Sequence, residues 1–178
     1  MQTFYHGTTA QFDHFDISHL FEGDGKCKFG VGIYATSVYR TAVVYAKKGK
    51  GDTPYVYTIE VPDLTDDNHV VSAKPVHPSI ISKTEEKLGP LPEEVKQVGK
   101  YFRKYVGNLL IGNKGTTKKM MDKLSLDGEI AVSKFLNSIG VLFLVWPNAQ
   151  TNPDNGEINV AILDDSIIKN VDVKPVEI

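Results

Sequence analysis

The clearest periodicity in the chain is at YVYTIEVP, residues 55–62, where aromatic or β-branched positions alternate with polar ones and predict a strand. Residues 2–6, QTFYH, alternate enough for a short strand, which Gly7, Thr8 and Thr9 then break. FGVGIYAT at 29–36 reads as a glycine-punctuated strand with Val31, Ile33 and Ala35 on one face. The period then changes. In SVYRTAVVYAKK, Val38, Ala42 and Tyr45 recur at helical spacing, with Ser37 placed to cap the N-terminus and Lys47 and Lys48 in the last turn.

Residues 12–25 mix aromatics with Asp and read as a loop with one helical turn, and between 63 and 78 the pattern dissolves. Helical periodicity returns from 77 to 111, broken at Gly89-Pro90-Leu91-Pro92, and again from 117 to 140. In the last patch Ala131, Phe135, Leu136 and Ile139 mark the buried face. VLFLVWP predicts a buried strand, NAQTNPDNGE a turn-rich loop and EINVAILD another strand, with an extended tail from 165 that has room for a last one. Strands, a helical middle and strands again define an α+β class rather than alternating βαβ units. The expectation is one domain over 1–178 with a helical insertion at about 78–125.

Composition leaves this picture intact. The 178 residues are 41% hydrophobic and 24% charged with a net charge of −2, which suits one domain with a real core and excludes disordered or collagen-like chains. The longest apolar run, IGVLFLVW, is too short to span a bilayer, and no basic segment precedes an apolar one, so neither a membrane partner nor a secretory signal is expected. Cys27 is the lone cysteine, so no intrachain disulfide forms and a reducing cytoplasm fits. No base accompanies Cys27 in GDGKCKFG, which argues against a catalytic thiol.

FYHGTT, then FGVGIYATSVYRTAVVYA, then EINVAILDD together resemble the ADP-ribosyltransferase superfamily. The similarity is to the His-Tyr-Glu branch of diphtheria-type toxins and poly-ADP-ribose polymerases, and more closely to small bacterial and phage ADP-ribosyltransferase-like domains. It covers about 1–46 and 130–172 and leaves out the middle. It implies two small, mainly antiparallel sheets clasping a dinucleotide cleft. It also implies NAD+ as substrate and a protein or nucleic-acid acceptor (or water). A toxin-like member would add a neutralising partner protein.

By this resemblance His6 bonds the adenine-side ribose, and the Gly7 backbone, which a ligand can approach closely, reads the nicotinamide carboxamide. Tyr34 and Tyr45 sandwich the nicotinamide ring. Polymerase-like members place a serine three residues before the second tyrosine. Ala42 stands there in this chain, with Thr41 adjacent and Thr8 or Thr9 as other donors. The branch also places a glutamate five residues before an aspartate; counting back from Asp164 reaches Asn159, while Glu157 lies two residues earlier. Either Glu157 serves through a shifted register, or Asn159 fills the position and the cleft holds its ligand with weak turnover or none. Without the resemblance, His6 reads as a bonded strand-end histidine, the tyrosines as core aromatics, and Glu157 as a solvated carboxylate after Asn-Gly.

A related transferase acting on RNA 2′-phosphate uses arginines around its histidine, and none lies near His6 in sequence. Residues 96–123 carry Lys96, Lys100, Arg103, Lys104, Lys114, Lys118, Lys119 and Lys123 against Asp122 alone. That run reads either as a surface for nucleic-acid or pyrophosphate anions or as the solvated face of helices. GNKGTTKK lacks the spacing of a phosphate loop, and His14, His19, His69 and His77 lack that of a metal site.

Overall fold

In a computed structural model, which describes residues 1–22, 28–148 and 156–177, the chain folds as a seven-stranded mixed sheet with helices. In chain order the elements are β1 (Gln2–Thr8), β2 (Ile33–Thr36), α1 (Tyr39–Lys47), β3 (Tyr55–Val61) and β4 (His69–Val71). The helices α2 (Pro78–Leu88), α3 (Glu93–Lys96), α4 (Gly99–Leu110), α5 (Thr117–Asp122) and α6 (Leu126–Ser138) follow. Strands β5 (Phe143–Pro147), β6 (Ile158–Ile162) and β7 (Lys169–Pro175) complete the chain.

The strand order is β4-β5-β6-β2-β1-β3-β7, antiparallel except for β4 against β5. The expected pair of sheets is therefore one sheet, but its two halves meet weakly. β1 runs along β3 from Gln2 to Thr8, whereas β1 and β2 pair only at Tyr5 and Thr36. Beyond that pair the two strands part, leaving a fork.

Two apolar clusters cover the faces. On one, Val70, Leu144, Trp146 and Ala161 pack against Ile80, Val95, Phe102, Val106, Val132 and Leu136 of the helices. On the other, Phe4, Tyr57, Ile59, Val145, Val160 and Ile162 pack beneath Phe12, Phe15, Ile17 and Leu20 of the β1–β2 connection. Helix α1 lies against β1 so closely that a Cβ on Gly7 would sit 1.9 Å from the Ala42 carbonyl oxygen. Close helix–strand packing, which only glycine permits, is thus one reason for Gly7.

Several local expectations are corrected. Val38, not Ser37, precedes the first turn of α1; Ser37 Oγ instead accepts from Ile158 N–H at 2.9 Å and ties the helix to β6. The buried face of α6 is Val132, Ser133 and Leu136 with Gly128 and Glu129, so Ala131 and Phe135 sit at its margin. Three residues of the supposedly patternless 63–78 stretch form β4, too short to show a period. Cys27 and most of the NAQTNPDNGE loop lie outside the described residues.

Candidate functional site

His6 is placed by the fork. Its neighbours on β1 alternate across the sheet: Phe4 and His6 face the aromatic cluster, Tyr5 and Gly7 face α1. Where a β1–β2 ladder would continue, the ring does the bonding, with Nδ1 2.5 Å from the Tyr34 carbonyl oxygen. A carbonyl only accepts, so Nδ1 carries the proton and Nε2 is left as an acceptor. Phe15 meets the ring edge-on at 5.2 Å between centroids, and Phe12 and Tyr57 flank it at 6.5 and 6.3 Å. This enclosure strips water from the imidazolium and lowers the pKa of His6; the Tyr34 carbonyl opposes it less strongly.

Two cavities meet at the fork, and both are lined by His6 and Tyr34. The larger, 570 Å³, is mostly apolar and runs between Phe12, Phe15 and Leu20 on one side and Gly30–Ile33 on the other. The smaller, 210 Å³, is lined by His6, Gly7, Tyr34, Ala42, Tyr45 and Asn159. Tyr5, Ala35, Thr36 and Trp146 complete its walls.

The tyrosines reach this smaller cavity by different routes. Tyr34 is rigid: its hydroxyl donates to the Gly30 carbonyl at 2.7 Å and accepts from Phe29 N–H at 3.3 Å. Its ring leans on Trp146 at 5.1 Å, and Trp146 stacks on Phe29 at 4.3 Å. Tyr45, from α1, is 50% exposed, so its ring is held by little else than the Lys48 ammonium 5.8 Å from its centroid. A planar ligand entering between them would meet one fixed wall and one adaptable wall.

At the floor is Asn159 on β6, 5% exposed, whose Oδ1 is buried and has no hydrogen-bond partner among the described residues. A buried acceptor left unmatched costs about 1–3 kcal/mol, so its position in the cavity wall points to a ligand that donates to it. Glu157 is two residues earlier, on the same side of the chain by alternation and displaced by about 6.5 Å. It is partly buried, and the cavity lining includes Asn159 rather than Glu157.

Thr41 and Thr8 are engaged elsewhere. Thr41 Oγ1, 2% exposed, accepts from Asn148 Nδ2 at 2.8 Å, and Thr8 Oγ1 accepts from Ala10 N–H at 3.1 Å. Thr9 Oγ1 accepts from Gly51 N–H at 3.1 Å. The fold therefore brings His6, Gly7, Tyr34, Tyr45 and Asn159 together, and turns Thr8 and Thr41 away. Sequence reasoning missed Tyr5 and Thr36 as wall residues and read Trp146 only as part of a buried strand. Tyr5 had a visible signal, since it alternates out of phase with His6.

A buried ion pair supports the wall from behind. Arg103 of α4 and Glu129 of α6, 4% and 5% exposed, are paired, and Arg103 Nη2 also donates to the Lys28 carbonyl at 3.5 Å. Ser133 Oγ donates to the Val31 carbonyl at 2.7 Å. The helical layer thus fixes the segment 28–31 that leads into β2 and Tyr34.

Comparisons with protein-family models, curated proteins and solved structures give no match to this chain. The fold and site define an α+β protein with a ligand-sized cleft at a forked sheet. Among the described residues no helix is long and apolar enough to cross a membrane.

Proposed function

We propose that the chain is an NAD+-dependent ADP-ribosyltransferase whose dinucleotide cleft is the fork between β1 and β2. The observation that carries this reading is convergence. His6, Gly7, Tyr34, Tyr45 and Asn159, drawn from both ends of the sequence, line one cavity of 210 Å³. The adjoining 570 Å³ cavity offers room for the rest of a dinucleotide.

Each residue then has a physical task. The Tyr34 and Tyr45 rings hold the nicotinamide face, and His6 Nε2 accepts a hydrogen bond from a ribose hydroxyl. Cleavage breaks the C1′–N1 glycosidic bond with its electron pair going to the ring nitrogen, so that neutral nicotinamide leaves and charge develops on the ribose. Glu157, two residues before Asn159, is the carboxylate that this reading assigns to the reaction. It would stabilise that cation and take the proton from the acceptor hydroxyl as the new bond to C1′ forms. Asn159 would accept a hydrogen bond from the ribose, supplying no charge.

One observation favours a second reading. The residue in the cavity wall is Asn159, not a carboxylate, and this suits a module that holds NAD+ or ADP-ribose without cutting it. Calorimetry and nicotinamide release separate the two. The enzyme reading expects saturable NAD+ binding and nicotinamide release that falls at least about 100-fold in Glu157→Gln. The binding reading expects the same binding with no release, and release gained in Asn159→Glu. Intact NAD+ and no binding, with candidate acceptors present, would contradict both.

A further inference from the structure

We propose that the α4–α5 face binds the phosphodiester backbone of single-stranded nucleic acid. The inference does not rest on the NAD+ reading and would stand without it. Its starting point is how the cations of this chain are paired. Arg103 is matched with Glu129, Lys96 with Glu85 and Glu93, Lys169 with Glu60 and Lys174 with Asp172. Lys100, Lys104, Lys114, Lys118, Lys119 and Lys123 have no carboxylate partner among the described residues. Cations elsewhere, Lys47, Lys48 and Lys50 among them, are likewise outside the ion pairs among the described residues, but in a chain of net charge −2 the stretch 96–123 sets eight cations against Asp122 alone.

These lysines form a continuous track. Lys100 and Lys104 are one helical turn apart on α4, about 6 Å between Cβ atoms. Lys104 Nζ donates to the Asp122 carbonyl at 2.8 Å, which brings it to the end of α5 beside Lys123. From there Lys123, Lys119 and Lys114, against Asp122, line an open groove of 460 Å³. The groove floor is rigid: Asn108, 5% exposed, donates to the Met120 and Lys123 carbonyls at 2.9 and 2.8 Å and accepts from Asn113 Nδ2 at 2.8 Å. Burial and the like charges of Lys100 and Arg103 lower the Lys104 pKa by more than Glu129 and Asp122 raise it.

The choice of single-stranded nucleic acid over a flat anionic surface comes from shape and from Tyr101. The groove is concave, and Tyr101, 41% exposed, lies outside its lining but three residues before Lys104 on α4, and so beside it on the helix. A charged groove that follows a backbone, with an aromatic face for a base, is how sequence-tolerant single-strand binding works.

The test is fluorescence anisotropy of a labelled 20-nucleotide oligonucleotide across a salt series. The expected result is saturable binding with a log–log salt slope of about −3, from some four or five phosphate contacts. Lys119→Gln/Lys123→Gln should weaken it about tenfold and flatten the slope by about one. Both side chains are exposed, so an unchanged circular dichroism spectrum is expected. Lys169→Gln/Lys174→Gln on β7 should bind as the parent does. Absence of saturable binding at about 50 mM salt would overturn the proposal. So would a folded Lys119→Gln/Lys123→Gln variant that binds unchanged, or poly-glutamate of matched charge that competes equally.

Discussion

The His6 ring bonds the carbonyl oxygen of Tyr34 at 2.5 Å across the gap between β1 and β2. A side chain thus takes over where the backbone ladder stops. The same bond fixes which nitrogen of His6 faces a ligand and joins the two residues that line both cavities.

The half-buried ring makes stability depend on pH. His6 has its ordinary pKa of 6.5 in the unfolded chain and a lower one when folded, because burial penalises the charged ring. Between the two values the unfolded chain holds the extra proton, so the contribution is fully present above about 6.5 and is lost as pH falls below it. Urea unfolding at pH 7.5 and 5.5 should show a larger loss for the parent than for His6→Gln, which keeps a donor but does not titrate. Equal losses would contradict the assignment.

Gly7→Ala tests the contact between β1 and α1. The added methyl would meet the Ala42 carbonyl and the Ala46 amide, backbone groups that cannot swing aside. The expected cost is about 2–3 kcal/mol in chemical denaturation. A neutral result would show that α1 can lift from the strand.

Tyr34 and Tyr45 should separate stability from binding. Tyr45→Ala removes a half-exposed ring and should leave the melting temperature unchanged while weakening NAD+ about tenfold. Tyr34→Ala also frees Gly30 and Phe29, so it should lower stability as well as binding. Thermal melts alongside calorimetry check both; a Tyr45→Ala variant with unaltered NAD+ affinity would remove Tyr45 from the site.

The Arg103–Glu129 pair should be costly to break and cheap to replace. Glu129→Gln leaves a buried guanidinium without its counter-charge, at about 3–5 kcal/mol, whereas Arg103→Met/Glu129→Leu should cost much less. A double-mutant cycle by urea denaturation gives the coupling. Near-additive losses would mean that each residue acts independently.

The site was more legible in the sequence than the sheet that holds it. His6, Gly7, Tyr34 and Tyr45 stand in motifs at short range, although β1 runs on through Gly7 and Thr8, expected to break it, and β2 takes only Ile33–Thr36 of the expected 29–36. Which of Glu157 and Asn159 faces the cavity was not legible, since residues two apart share a face and only the pairing of Asn159 with Thr36 and Trp146 sets the depth. Thr41 was undecidable for a similar reason: its partner Asn148 lies 107 residues away. The joining of the strands into one sheet depends on a single β1–β2 pair, which no local pattern encodes. Ser37 has the chemistry of a helix cap, but β6 supplies a competing donor that appears only in the fold.

The most direct measurement is histidine-detected NMR of the ring signals during an NAD+ titration. If the fork is the dinucleotide cleft, the His6 ring resonances shift saturably, and those of His69 and His77, on the far strand and at the start of α2, stay in place. Saturable shifts confined to other residues, or none at millimolar NAD+, would contradict the account.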